Sequence, residues 1–521
     1  MSNVKTRHLF LAVLLCLLVL FYLPSFSNAP RSDYWVALYY FQLADASPSP
    51  LSWLSLCNYD PWEHGTYRPV SHLLLYLEHK LFGVHFIGNH LVNFFMYFLS
   101  IVLLFFLARA FFLDTFLTAA FLTVYAFLFS HFDIITWTFQ VFTTMSFSAF
   151  LLGFLLFIRY QQSGKKGLLF VIGALFLFGM FCFELYALWP LAVILIWRGR
   201  RFLFPSPPAP GEKNLFRPTC FMLGIVYALY LAAFILTRMA EQTTGDLPKL
   251  TPALVVLGVC SVFFNLLYNG FLVNLFPFVT EPLVIRDNLD MAGLLVGWYT
   301  SLPAIICWTG GITVLLLCVG AIVLYRRGKK QTLLILSFFM FLLFTYYFIV
   351  SLSRLTTNDV WYPFTQFRYQ YVANALLVLM AVTVLTGVIR PKRLGKIVTG
   401  CLLLPVLAIN MQLSHKYMTR INTELEPLGL LLSTIRSGIE RGEITPRAKL
   451  FIEDGITTHL PPLCWNEDMA LFMKGSYQWF FPADRQNCFT FSPPEASWIL
   501  RENDYRTIYG IHSGKHLRLT E

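Results

Sequence analysis

The sequence predicts an all-α polytopic membrane protein with about eleven transmembrane helices, followed by a small α/β or α+β domain outside the cytoplasm. Composition supports this class, because 57% of the 521 residues are hydrophobic and 13% are charged, whereas about a quarter of an average soluble domain is charged. About ten apolar runs of roughly 17 to 25 residues are also long enough for a helix to cross the hydrocarbon core of a bilayer.

The first element is an apolar run that follows the basic residues Lys5 and Arg7. A basic start before an apolar run is typical of a signal peptide or a signal anchor. The cleavage signal at residues 27–29 is weak, so an uncleaved anchor with a cytoplasmic N-terminus is predicted. The spans then follow in order, at residues 9–26, 86–107, 112–130, 138–158, 167–183, 185–197, 217–237, 299–325, 332–351, 371–389 and 396–412.

Basic loops provide a check on this topology, since Lys and Arg accumulate on the cytoplasmic side of membrane proteins. Four loops that eleven spans place on that side are basic, namely residues 159–166, 198–217, 326–330 and 390–396. These clusters also account for the net charge of +11. No nucleic-acid partner is therefore expected, membrane lipids are the expected surroundings, and the C-terminus is predicted to lie outside the cytoplasm.

Two regions complete the membrane domain, which is assigned to residues 1–413. Its first extracytoplasmic loop is predicted at residues 27–86. Residues 252–278 are apolar enough to span, but one crossing there would move the basic residues 326–330 to the outer side. The segment is therefore predicted to lie at the outer surface or to form a re-entrant pair.

Hydropathy falls after residue 413, so residues 414–521 are assigned to an extracytoplasmic domain. Within it, Glu424 to Glu440 has helical spacing, and Lys449 to Glu453 and Thr507 to Ile511 are predicted as strands.

Most of the ten cysteines lie in apolar runs, where a free Cys behaves as a small hydrophobe. Cys464 and Cys488 are the exceptions in the C-terminal domain, and they can form a disulfide if that domain faces an oxidising compartment. No spacing of Cys and His is typical of a structural zinc site.

Polar and aromatic residues are concentrated in the first extracytoplasmic loop. It contains the segments 31–35 (Arg-Ser-Asp-Tyr-Trp), 58–64 (Asn-Tyr-Asp-Pro-Trp-Glu-His) and 67–69 (Tyr-Arg-Pro). A carboxylate just after a first span, with His, Arg and aromatic residues further along, is expected where a membrane enzyme handles a phosphate-bearing lipid.

These segments resemble the glycosyltransferases of the C superfamily, and in particular the membrane half of O-mannosyltransferases that carry tetratricopeptide repeats, together with bacterial relatives of that half. The stretches that carry the resemblance are Asp33-Tyr34, Tyr67-Arg68-Pro69-Val70, Leu81-Phe82-Gly83, His90-Leu91-Val92-Asn93, His131 to Trp137, Phe183-Glu184, Trp189-Pro190 and, more weakly, Arg368-Tyr369. The resemblance covers residues 9–200 well and the remainder loosely. No tetratricopeptide pattern follows residue 414.

The resemblance implies an enzyme of the bacterial inner membrane that takes a sugar from a polyprenyl-phosphate carrier and transfers it, with inversion by direct displacement, to a protein, lipid or glycan outside the cytoplasm. Two residues depart from the family pattern. Asp33 stands next to Tyr34 where the family often has a second acidic residue, and Phe183 replaces the usual Lys before Glu184. The identity of the sugar, the acceptor and any divalent metal stays open.

Sugar transfer needs a base for the acceptor hydroxyl, and a carboxylate can serve if its surroundings tune its pKa. Asp33 is the predicted base, and the alternative is that it only solvates the end of the first span. Asp60 and Glu63 are alternative bases in the same loop.

Arginine suits the lipid phosphate, because its planar guanidinium can bind two phosphate oxygens at once. Arg368 and Arg68 are predicted to bind the phosphate. The alternatives are that Arg368 anchors a lipid headgroup at the membrane interface and that Arg68 fixes the fold of its loop.

Three further polar residues are assigned to an acceptor site or to structural roles. His131 and Asp133 are predicted in a short outer turn, and two such residues alone do not define a metal site. Glu184 lies in an apolar stretch, where an ionised carboxylate costs about 2.5 to 3.5 kcal/mol, so a functional role is predicted; the alternative is exposure at a turn.

Two other functions remain open at this stage. A transporter or flippase of envelope lipids or oligosaccharides also needs many spans and polar residues at membrane depth, although transporters often show internal repeats and broken helices. An inactive homologue that serves as a binding subunit is the third possibility, because a single acidic residue follows the first span.

Overall fold

The structure is a computed structural model that describes residues 2–28, 30, 33–46, 56, 67–83, 86–203, 215–241, 252, 256, 259, 303–355, 369–389, 393–442, 450–452 and 498–500. Its described part is predominantly helical. The helices are α1 (Ser2–Tyr22), α2 (Asp33–Ala46), α3 (Pro69–Phe82), α4 (Ile87–Ala110), α5 (Thr115–Ala126), α6 (Phe132–Thr136), α7 (Val141–Ser163), α8 (Gly167–Cys182), α9 (Ala192–Leu203), α10 (Phe216–Glu241), α11 (Pro303–Arg326), α12 (Lys330–Leu355), α13 (Gln370–Ile389) and α14 (Arg393–Glu440).

Within these described residues, seven helices are long and apolar enough to cross a membrane, so the chain is an integral membrane protein. The candidate spans are Thr6–Ser25, Ile87–Ala110, Thr138–Ser163, Phe216–Leu236, Lys330–Leu352, Gln370–Val388 and Leu394–Thr419. A bent pair, Thr115–Ala126 with Phe129–Thr136, would make an eighth and turns by 59° at its break. The predicted number of eleven crossings stays a prediction.

The segment predicted to span at residues 185–197 has a different structure. The backbone is extended at Phe183 and continues through two 3-10 turns, Glu184–Tyr186 and Trp189–Leu191, before α9 begins. Pro190 in the second turn has no N–H to donate to a continuous helix. Since α9 has 12 residues and is about 18 Å long, it is too short to cross a hydrocarbon core of about 30 Å.

An aromatic core lies where α7 packs against α8. The rings of Phe150 and Phe176 stack with their centroids 5.5 Å apart. Gly153 and Gly179 allow this approach, because a Cβ atom would lie 2.4 Å from the Phe176 ring at Gly153 and 2.5 Å from the Phe150 ring at Gly179. Trp189 continues the cluster, with its ring 5.7 Å from that of Phe150.

The first extracytoplasmic loop was predicted as one polar interval, but it contains α2 and α3. Pro69 suits the start of α3, because its fixed φ matches a first helical turn and its missing N–H is not needed there. Gly83 ends the helix with a positive φ of 55°, which glycine adopts at no steric cost. We call the end of the bundle where α1 ends and α4 begins the α2–α3 end.

Helix α14 passes through the domain boundary that was predicted at residue 414. It has 48 residues and is about 72 Å long, more than twice the thickness of a hydrocarbon core. Asn422 in this helix accepts a hydrogen bond of 2.6 Å from Asn28 and donates one of 3.2 Å to the Pro24 carbonyl. The helix predicted at Glu424 to Glu440 is therefore confirmed, as the continuation of a membrane helix.

Two strands lie in the described C-terminal residues. β1 (Leu450–Ile452) confirms the strand predicted at Lys449 to Glu453, and it pairs in parallel with β2 (Trp498–Leu500), with Leu450 opposite Trp498. The strand predicted at Thr507 to Ile511 lies outside the described residues. So do Cys464, Cys488 and nearly all of residues 252–278, and the predictions for them are unchanged.

Candidate active site at the α2–α3 end

A bidentate ion pair joins Arg68 to Glu184. The Arg68 Nε donates to Glu184 Oε2 at 2.6 Å, and Nη2 donates to Oε1 at 2.5 Å. The side chains of Arg68 and Glu184 are 13% and 17% exposed to solvent, so the pair is largely but not completely buried. The Arg68 guanidinium also lies 4.4 Å from the ring centroid of Phe183 and 5.4 Å from that of Phe142.

Local structure explains how two residues 116 positions apart meet. Arg68 directly precedes α3, and Glu184 opens the first 3-10 turn after α8. The Ser71 hydroxyl of α3 donates to the backbone carbonyl of Cys182, the last residue of α8. The start of α3 is therefore fixed to the end of α8 both by a neutral hydrogen bond and by the ion pair.

His72, one turn beyond Arg68, adds no charge to this site. Burial and the Arg68 charge lower the pKa of His72 to about 3, although a hydrogen bond from the imidazole to the backbone of Leu56 acts in the opposite direction. The imidazole is therefore neutral at physiological pH.

A second polar cluster lies near the other end of α3. The Asn89 side-chain amide donates to Glu78 Oε2 at 3.1 Å and to the Tyr34 hydroxyl oxygen, also at 3.1 Å. All three residues are buried. We call them the Glu78 network. It connects α3, α4 and α2.

Burial raises the pKa of the Glu78 carboxyl to about 8, even though the hydrogen bond from Asn89 acts to lower it. The cause is that an ionised carboxylate loses its hydration on burial, which favours the neutral form. Burial also raises the pKa of the Tyr34 hydroxyl, and the Glu78 charge adds to that shift. Strongly perturbed groups of this kind occur often at functional sites.

The predicted base, Asp33, is the first residue of α2 and directly precedes Tyr34. Its side chain lies outside the described residues, as do Asp60, Glu63 and Arg368. The structure therefore brings together two of the predicted site residues, Arg68 and Glu184. Convergence of Asp33 and Arg368 with them on one cavity is a prediction.

His131 is the last residue of a 3-10 turn, Phe129–His131, at the break between α5 and α6. It is buried with Tyr125 and Tyr371, whose ring centroids lie 4.6 Å and 5.2 Å from that of His131, and its Nδ1 is 3.0 Å from the Tyr97 hydroxyl. Asp133 is half-buried in the next helix. Enclosure by aromatic residues favours the structural alternative for His131.

In the part of the chain that the structure describes, no three His, Cys, Asp or Glu side chains come close enough to hold a metal ion.

Sequence reasoning missed Glu78, although a signal was present. Glu78, His79 and Lys80 form a short polar run within residues 27–86, which were predicted as the first extracytoplasmic loop. His72 and Leu75 precede Glu78 at intervals of three residues and lie on the same buried face of α3. Helical spacing of this kind predicts one face for all three, so the pattern around Leu75 indicated burial of Glu78.

The sequence matches no protein-family model and no curated protein. ArnT and AglB are among the solved structures that are similar to the chain. ArnT from Cupriavidus metallidurans in the apo state has 12% identity and a TM-score of 0.38, with 91% of this chain and 85% of that chain covered. The archaeal oligosaccharyltransferase AglB from Archaeoglobus fulgidus, in complex with an inhibitory peptide and a dolichol-phosphate, has 11% identity and a TM-score of 0.39, with 94% of this chain and 65% of that chain covered. Because both TM-scores are low, neither match assigns an activity to this chain.

Proposed function

We propose that the protein is an integral membrane glycosyltransferase that moves a sugar from a polyprenyl-phosphate donor to an acceptor outside the cytoplasm. The observation that carries this proposal is the Arg68–Glu184 pair, a planar cation held in a fixed orientation and partly open to solvent at the α2–α3 end. Guanidinium groups bind phosphate oxygens in the same bidentate geometry as they bind carboxylates. The same end of the bundle carries α2, which begins at Asp33.

In this proposal Glu184 holds the Arg68 guanidinium before the donor binds. Of the five N–H donors of an Arg, two are used in the hydrogen bonds to Glu184. A phosphate at this position has to share the guanidinium with Glu184 or displace it. Because a carboxylate and a phosphate prefer the same geometry, the exchange requires little movement of Arg68.

Asp33 takes the proton of the acceptor hydroxyl, and the hydroxyl oxygen attacks the anomeric carbon of the sugar. The bond from that carbon to the phosphate oxygen breaks, and its electron pair stays on the phosphate. Arg68 and Arg368 stabilise the charge that develops there, because positioned cations lower the energy of such a transition state. Asp33 then releases the proton to water.

The test uses the full chain in bilayer nanodiscs with one polyprenyl-phosphate sugar at a time and a bacterial envelope extract as the source of acceptor hydroxyls, and it measures the sugar-free polyprenyl phosphate that is released. Asp33→Asn should keep the fold and abolish release, since Asn cannot take the proton at neutral pH. The matched control is Asp45→Asn on the same helix, whose carboxylate pairs with Lys80 at an exposed position. Full activity of Asp33→Asn would move the base to Asp60 or Glu63, and release by a variant lacking all three carboxylates would refute the mechanism.

A lipid transporter is the second candidate, and a specific observation favours it. The bundle contains a 59° bend between Thr115–Ala126 and Phe129–Thr136, and broken helices are common at the substrate sites of transporters. In reconstituted vesicles, a transporter would expose polyprenyl phosphate on the opposite leaflet without cleaving the sugar, and Asp33→Asn would leave that exposure unchanged. Release of the sugar that depends on Asp33 would exclude this alternative.

A further inference from the structure

Glu78 is a buried carboxyl group that accepts a hydrogen bond from another side chain and does not cap a helix. Glu78 is 7% exposed to solvent, and Tyr34 and Asn89 are fully buried. Its Oε2 accepts from the side chain of Asn89, which also donates to Tyr34. A buried carboxyl group is costly for a protein to retain. This cost calls for a specific role, because an apolar residue of similar size would fill the same space.

The contacts of the Glu78 network indicate what that role is. Asn89 lies in the first turn of α4, a candidate membrane span, and Tyr34 lies in the first turn of α2. The ring of Tyr34 also packs edge-on against Phe86, with centroids 6.3 Å apart. The network therefore attaches the beginning of α2 to a membrane helix through buried side chains.

The polar contacts at the other end of α2 are exposed, although Phe41 packs there against Tyr76 and His79 of α3. Asp45 pairs there with Lys80 and accepts a hydrogen bond from Tyr76, both at exposed positions. Exposed ion pairs contribute little to rigidity, because water competes for both partners. The buried contacts at Tyr34 therefore determine the position of the first turn of α2 more firmly than the surface contacts at Asp45.

We propose that Glu78 is a positioning residue, which acts through Asn89 and Tyr34 to fix the first turn of α2 and the backbone of Asp33. The inference rests on the proposed function, since it concerns the base of that reaction. Asp33 and Tyr34 are consecutive, so their Cα atoms are about 3.8 Å apart. A shift of Tyr34 must therefore move the backbone that carries the carboxylate.

The size of the expected effect follows from the sensitivity of catalysis to geometry, since a misplacement of about 1 Å can reduce a rate about 100-fold. Tyr34→Phe removes the hydroxyl and keeps the ring, and Glu78→Leu removes the acceptor and keeps the volume. Both variants should reduce kcat about 10- to 100-fold with little change in KM for the donor. Glu78→Gln can still accept from Asn89 through its amide oxygen, so it should restore kcat to within a few-fold of wild type.

The matched control is Asp114→Asn, at the opposite end of α4. Asp114 caps α5, accepting from the Leu117 amide at 3.0 Å, and pairs with Lys396 at 2.9 Å. Its replacement should lower the melting temperature and leave kcat unchanged. A reduction in kcat by Asp114→Asn equal to that by Tyr34→Phe would show that any loss of stability affects activity, and would overturn the positioning role.

A second readout separates this inference from the proposed function. Amide hydrogen exchange of residues 34–46 should become faster in Tyr34→Phe and Glu78→Leu, and it should stay unchanged in Glu78→Gln and Asp114→Asn. Unchanged exchange of α2 in the first two variants overturns the positioning role, whatever the activity. Faster exchange with unaltered kcat also overturns it, because the network would then be only structural. If the wild-type protein transfers no sugar, the proposed function fails while the exchange experiment still reports on the network.

Discussion

The buried carboxyl of Glu78 should make the stability of this protein depend on pH in an unusual direction. Its pKa is raised by burial from 4.5 to about 8. Below about pH 4.5 the carboxyl is protonated in both the folded and the unfolded chain. Between that pH and about 8 the unfolded chain releases the proton and the folded chain keeps it, so the free energy of unfolding falls as the pH rises. Above about pH 8 the carboxyl is ionised in both the folded and the unfolded chain, so the free energy of unfolding falls no further on its account.

The magnitude follows from the linkage between pKa and stability. Each unit of difference in pKa corresponds to about 1.4 kcal/mol. Across the two pH units from about 5 to about 7, the Glu78 carboxyl should therefore lower the free energy of unfolding by about 2.7 kcal/mol. Glu78→Gln cannot ionise, so this part of the pH dependence should be missing from the variant. The variant should then be more stable than the wild type by an increasing margin as the pH rises towards 8.

The assay is unfolding of the wild type and of Glu78→Gln in the same detergent across this pH range. Asp114 is the control carboxylate. Partial burial acts to raise its pKa, but hydrogen bonds from the Leu117 amide and Lys396 outweigh burial, and the pKa of Asp114 is lowered. The stabilisation by Asp114 is lost only at acidic pH, so the difference between wild type and Asp114→Asn should be constant from about pH 5 to 8. A constant difference for Glu78→Gln over the same range, or one that shrinks, would refute the reasoning.

Three further outcomes are expected. Arg68→Ala and Glu184→Ala should each lower the free energy of unfolding by about 3 to 5 kcal/mol, because each leaves one partner of a largely buried pair without the other. In a double-mutant cycle, the double variant should be much less destabilised than the sum of the two single variants. Additive effects would mean that the pair is not formed. A reporter that is active only in the cytoplasm, fused to the C-terminus, should be silent, and a strong signal would reverse the predicted topology. Mass spectrometry of unreduced protein should find Cys464 linked to Cys488, and free thiols at both positions in protein isolated from an oxidising compartment would leave them as unrelated cysteines.

The helices of the membrane domain could be predicted from the sequence because length and apolarity are local properties. The span predicted at 371–389 corresponds to α13 (Gln370–Ile389), and that at 86–107 to α4 (Ile87–Ala110). The exception at residues 185–197 is apolar as well, but Pro190 and the extended backbone at Phe183 interrupt the helix. Hydropathy averaged over a window does not detect such a break. It also does not detect that α14 continues as a helix after residue 414, where the chain becomes polar.

The contacts of the candidate site could not be predicted in the same way. Arg68 and Glu184 were both selected as functional residues, but nothing in one sequence connects positions 116 residues apart. Their meeting depends on how α3 packs against α8. Glu78 was accessible to sequence reasoning, since its helical spacing from Leu75 indicated burial, but treating residues 27–86 as a single loop concealed the periodicity of α3.

The two ends of the bundle use their charged side chains differently. At the end that is predicted to be cytoplasmic, Arg109 donates to the Leu113 carbonyl at 2.7 Å, Asp114 caps α5, and Arg327 donates to the Val388 carbonyl at 2.6 Å. Each of these contacts binds a backbone group at the end of a helix or in the turn beside it, although Asp114 also pairs with the Lys396 side chain. At the α2–α3 end, the hydrogen bonds of Glu78 and Glu184 go to other side chains. Helix capping does not explain these two carboxyl groups. For this reason we place the proposed chemistry at the α2–α3 end of the bundle.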